Sequence, residues 1–87
     1  KAIELDPNYA QAYSNRGFSK DNLEDYYGAI ADYTKAIELD PNYTNAYVSR
    51  GISKENLKDL SGACLDWKKA ADLGDADAEK KVANQCN

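Results

Sequence analysis

The residue types that most often do chemistry are sparse in this chain. It has no histidine, so the commonest general base and the commonest metal ligand are both missing. Carboxylates and two thiols remain. Asp21, Glu24 and Asp25 are close enough along the chain to supply a carboxylate pair for acid–base work. A charge cluster of this kind beside a turn reads first as solvated surface, and it is set aside on that ground. Asp72, Asp75, Asp77 and Glu79 faintly suggest a calcium loop, but no Gly follows the third ligand and no distal bidentate Glu closes the set. Acids at a helix start account for them. Cys64 and Cys86 allow one disulfide or none and lack the spacing of a zinc site. Cys64 falls on an apolar stripe and reads as a small buried hydrophobe rather than a redox group, and Cys86 is expected to be accessible. Whether the two are bridged is left open. No catalytic residue, metal site or cofactor is expected.

Binding chemistry is better represented. Gln11, Ser14, Asn15, Phe18, Asp21 and Asn22 form a stripe at helical spacing, and Asn45, Val48, Ser49, Ile52, Glu55 and Asn56 repeat it. Side-chain amides can hydrogen-bond a peptide backbone, and one apolar residue per repeat, Phe18 or Ile52, can anchor a side chain. The acid at the end of each stripe, Asp21 or Glu55, favours a neutral or basic ligand. Gln11, Asn15, Phe18, Asn22, Asn45, Ser49, Ile52 and Asn56 are therefore the candidate ligand contacts. The competing reading is that these are merely solvated helix residues. A Phe and an Ile at the same place on an otherwise polar stripe favour the groove.

Elements must exist to carry these stripes, and the bulk properties allow them. The chain has 87 residues, 43% apolar and 30% charged, which is one small domain able to pack an interior. Its net charge of −4 and pI of about 4.7 lack the basic footprint that phosphate backbones or anionic membranes select. Neither nucleic acid nor a membrane is an expected partner, and no stretch approaches the roughly 20 apolar residues of a spanning helix. Compartment is not legible.

The segment KAIELDPNY occurs at residues 1–9 and again at 35–43. With Asn8–Pro41 set against Asn42–Asp75, an offset of 34, 17 of 34 positions are identical. A fixed period of this size marks a repeat architecture, in which each unit buries its apolar face against its neighbours. Tyr26, Ala29, Ile30, Tyr33, Ala36 and Ile37 fall at steps of three and four on one helical stripe, and Leu60, Ala63, Cys64, Trp67, Ala70 and Ala71 repeat it. Proline disfavours α geometry in the residue before it, and Asn8 and Asn42 are expected to cap the helices that follow, with Gln11 as a capping-box-like partner. Helices are predicted near 9–22, 26–39, 43–56, 60–73 and 76–85, with residues 1–5 the tail of an earlier one. The tyrosines Tyr9, Tyr13, Tyr27, Tyr33, Tyr43 and Tyr47 read as core and inter-repeat packing.

These residues resemble the tetratricopeptide repeat family, whose 34-residue pattern runs from a bulky aromatic through Gly, then Ala with an aromatic four residues on, to a closing Pro. Tyr13, Gly17, Ala29, Tyr33, Ala36 and Pro41 fill those places in the first unit, and Tyr47, Gly51, Ala63, Trp67 and Ala70 in the second. The resemblance implies an all-α fold, an α-solenoid of antiparallel helix pairs. It would comprise a leading tail over 1–7, repeats over 8–41 and 42–75, and a capping helix over 76–87, all in one domain. It also implies that the first-helix stripes line a concave groove that holds a peptide or helix of a partner. The chaperone-tail clamp of some family members fits poorly, because only Asn15 matches and Gln11, Asn45 and Ser49 supply no positive charge.

The departures carry expectations of their own. Arg16 and Arg50 stand where the family has Leu, Lys20 and Lys54 where it has Tyr, and Asp32 and Asp66 precede the second aromatic. Arg16 is expected to pair with Asp32, and Arg50 with Asp66. Glu24 and Lys58 occupy the turn position that often holds Gly, so the turn must form with strain or without a left-handed residue. A chain that opens with KAIELDPNY is expected to open inside an array, leaving an apolar edge around Ile3, Leu5 and the first helix that invites self-stacking. The reading that follows is a non-enzymatic protein-interaction scaffold. Its rival is a structural spacer or self-assembly segment with no specific ligand.

Overall fold

The computed structural model describes residues 7–86, and among them it is helical throughout, with short connectors and no strand. The helices are α1 (Pro7–Asn22), α2 (Tyr26–Leu39), α3 (Thr44–Asn56), α4 (Leu60–Asp72) and α5 (Ala76–Gln85). The predicted all-α class and helix-pair order hold. The predicted tail at residues 1–5, with the edge at Ile3 and Leu5, lies outside the described residues.

Two caps are made differently from expectation. α1 already begins at Pro7, where a missing N–H costs nothing, so Asn8 lies inside the first turn rather than ahead of it. At the second copy of the same sequence, α3 starts only at Thr44 with Tyr43 in the cap position and no side-chain cap bond. Asn42 does not cap there, because it lies one residue ahead of the cap position; its N–H donates to the Asp40 carboxylate at 3.2 Å in an Asx turn. The acids Asp25 and Asp59 cap α2 and α4 instead, accepting the Gly28 and Gly62 N–H groups at 3.0 Å each.

Successive helices pack against one another, α1 on α2, α2 on α3, α3 on α4 and α4 on α5. Ala10, Ala36, Leu39 and Ala46 form one buried cluster, with Tyr13, Ile37 and Tyr43 against it. Tyr47, Ala70 and Ala78 form the next. Within each pair the contact is close because a glycine faces an aromatic ring: a Cβ on Gly17 would come within 2.9 Å of the Tyr33 ring, and one on Gly51 would overlap the Trp67 indole. Tyr33 and Trp67 are thereby buried to 1% and 0% exposure. Tyr47 is also buried, but Tyr9 and Tyr27 remain 62% and 77% exposed, contrary to the packing role expected of them. They lie on helix faces that no described neighbour covers.

The turns within each pair resolve the question raised by the missing glycine. Glu24 and Lys58 adopt left-handed backbone, with φ of 62° and 67°. The strain is tolerated because the Asp25 and Asp59 N–H groups reach back to the Lys20 and Lys54 carbonyls at 2.8 Å, closing both helix ends.

Candidate functional site

Each expected contact residue sits on α1 or α3. Gln11, Asn15 and Asn22 are exposed on α1, and Asn45 and Asn56 on α3, while Ser49 is half-buried. Phe18 is 61% exposed and Ile52 37% exposed, at positions 34 residues apart in the repeat. Two stripe members behave differently. Ser14 is buried at 6%, and Val48 is half-buried against the second core cluster.

Asp21 was expected to lie free at the end of the stripe, and it does not. Its Oδ1 accepts the Ser53 hydroxyl at 2.6 Å and its Oδ2 accepts the Tyr33 hydroxyl at 2.9 Å. One carboxylate therefore ties α1, α2 and α3 together, and so sets the position of Phe18 relative to Ile52. Burial first, and Asp21 second, push the Tyr33 phenol well above its ordinary pKa. The second unit lacks this bridge, because Glu55 replaces Asp21 and the buried aromatic is Trp67. The Trp67 indole N–H donates instead to the Val48 carbonyl at 3.3 Å.

Both expected ion pairs form behind the stripe. Arg16 meets Asp32 through Nε at 2.9 Å and Nη2 at 2.8 Å, and Arg50 meets Asp66 through Nε at 2.9 Å and Nη2 at 2.7 Å. Bidentate geometry of this kind fixes direction as well as distance. Each guanidinium also lies over the tyrosine three residues earlier, 5.4 Å from the Tyr13 ring centre and 5.7 Å from that of Tyr47. An arginine can thus stand where the family has leucine: its stem and face cover an aromatic while its fork reaches the neighbouring helix.

A second cation on each carboxylate was not foreseen. Lys20 approaches Asp32 at 3.1 Å and Lys54 approaches Asp66 at 3.2 Å. The signal was present, since each Lys follows its Arg by one helical turn in both units. Arg16 and Lys20 hold the Asp32 carboxyl below its ordinary pKa although burial opposes them. The two units differ in cover. Arg50 gains a third bond, to the Thr34 hydroxyl at 3.1 Å, and its side chain is 17% exposed against 60% for Arg16.

The thiols depart from expectation. Cys64 is half-buried rather than a core residue, and it is joined to Cys86 in a disulfide that spans 22 residues. The register explains why this was hard to read. Ala78 packs on Ala70 as Ala46 packs on Ala36, and these pairs are offset by 32 (78 − 46) on α5 but by 34 (70 − 36) on α4. The tight Gly74 turn, with φ of 103°, shortens the connector and moves Cys86 off the Phe18–Ile52 register.

Residues 10–43, from within α1 to the residue before α3, match the family model for the tetratricopeptide repeat. The second helix pair lies outside that match. Comparison with curated proteins finds none that matches.

Proposed function

We propose that this tetratricopeptide repeat protein holds an extended or helical segment of a partner protein against the exposed faces of α1 and α3. Repeats of this family generally mediate protein–protein interactions and are typically non-enzymatic scaffolds. The observation that carries the reading for this chain is the pair Phe18 and Ile52, solvent-exposed at equivalent places and flanked by Asn15, Asn22, Ser49 and Asn56. Exposed apolar side chains set among amides suit a peptide, which needs both anchors and backbone partners. The ligand is neutral or basic, because the acids Asp21 and Glu55 lie at matching ends of α1 and α3. No catalytic role is assigned to the chain.

Selection from a diverse peptide library tests this, run beside a Phe18→Asp, Ile52→Asp double variant whose helicity is verified by circular dichroism. The expected outcome is a shared motif, apolar at two positions and free of net negative charge, that the double variant fails to enrich. Enrichment indifferent to both substitutions contradicts the groove. No enrichment, together with concentration-dependent assembly in light scattering, returns the function to a spacer that stacks through α1. That face has Ala12 and Arg16 exposed, whereas their counterparts Ala46 and Arg50 are covered by α2.

A further inference from the structure

The α4–α5 junction has features that the groove does not use. α5 has ten residues, below the length at which an isolated helix is stable in water, and Ala78 is the buried residue on it. Its N-terminal turn is secure, because the Asp75 carboxylate accepts the Ala78 N–H at 2.8 Å and Ala78 packs on Tyr47 and Ala70. Towards the other end the apolar face runs out: Val82 is half-buried, and Ala83, Asn84 and Gln85 are exposed. There the Cys64–Cys86 bond joins the last turn to α4. Between the two fastenings the Lys81 ammonium lies 5.0 Å above the ring of Trp67, which is otherwise fully buried.

We propose that Cys64–Cys86 is a redox latch on α5: intact, it holds the helix across α4, and reduced, it lets residues 81–86 leave α4, so that Lys81 uncovers Trp67. The bond is open to attack. Both cysteines are half-buried and wall a cleft of about 430 Å³ together with Leu60, Leu65, Lys68 and Gln85. An anionic thiolate can enter from solvent, and the Lys68 cation on the wall favours it. The reductant is a dithiol. Its thiolate attacks one protein sulfur, the S–S bond breaks, and a mixed disulfide forms. Its second thiol then displaces the protein sulfur, closing the oxidised ring. Two electrons pass to the protein, two protons are taken up, and Cys64 and Cys86 are left as thiols. Release of the helix follows from its own weakness, since neither its length nor its apolar face can hold the last turn unaided.

Hydrogen exchange of the whole chain, with and without dithiothreitol and with reduction verified by thiol titration, tests the latch. Amides of residues 81–86 are expected to exchange at least ten times faster when reduced, Trp67 emission to shift to the red, and the protection of α1, α2 and α3 to hold. Unchanged protection of α5 after verified reduction overturns the proposal. So does loosening of all five helices together, which makes the bond a staple of the whole fold. Cys86→Ser, which leaves the α4 position intact, must reproduce the reduced exchange pattern without dithiothreitol, and a fully protected α5 in that variant is equally fatal.

Discussion

Asp66 and Asp32 make the same bonds in the same places, yet their losses should differ. Removing Asp66 strands Arg50 and Lys54, whose side chains are only 17% and 23% exposed. Asp66→Ala should cost about 3 kcal/mol in urea denaturation, the scale of a buried pair broken on one side. Asp32→Ala should cost less, because Arg16 can rehydrate, and equal losses would refute this ranking. The pH dependence follows from two shifted groups. Asp32 titrates lower when folded, so its contribution is present above its unfolded pKa and fades as pH falls through the folded value. Tyr33 titrates higher when folded, so its contribution is intact below its unfolded pKa near 10 and fades as pH rises beyond that. Alkaline unfolding should therefore be less steep in Tyr33→Phe, as measured by helicity against pH from 9 to 12. The Arg–Asp pairs were legible because both partners recur at one spacing in both units. The bridge from Asp21 to Ser53 was not, since it joins residues 32 apart that share no motif and occurs in one unit only.

At the level of elements, the three-residue turns carry strain that the helices around them absorb. Left-handed backbone at a residue with a Cβ costs about 1–2 kcal/mol. Lys58→Gly should recover part of that, about 0.5–1 kcal/mol after the added freedom of the unfolded chain is subtracted, and raise the thermal midpoint. A lowered midpoint would mean that the Lys58 side chain contributes more than its backbone strain removes. Helix type and extent were readable because the apolar residues recur at steps of three and four between Pro and Gly punctuation, and α2 and α5 have the bounds the sequence suggests. Caps were less readable, since α3 starts two residues past Asn42 with Tyr43 in the cap position, an outcome that depends on backbone geometry. The register of Cys86 was not readable either: the Gly74 turn takes α5 off the 34-residue period without changing the composition.

Across the whole molecule, two kinds of contact join the helix pairs. Small buried residues such as Ala36 against Ala46 allow close approach, and polar bridges such as Asp21 to Ser53 and Arg50 to Thr34 fix the angle. The faces of α1 and α3 that carry Phe18 and Ile52 are held by that frame rather than by each other. Self-stacking through α1 onto the α4 of another copy meets an obstacle in the same register, for it sets Arg16 against Lys68, where Arg50 has Thr34. Peptide capture is the stronger account. Amide chemical-shift mapping during titration with a library-selected peptide tests it most directly. Shifts concentrated at Asn15, Phe18, Asn22, Ser49, Ile52 and Asn56, and lost with Phe18→Asp and Ile52→Asp, are the predicted result; shifts confined to α2, α4 or α5 would contradict it.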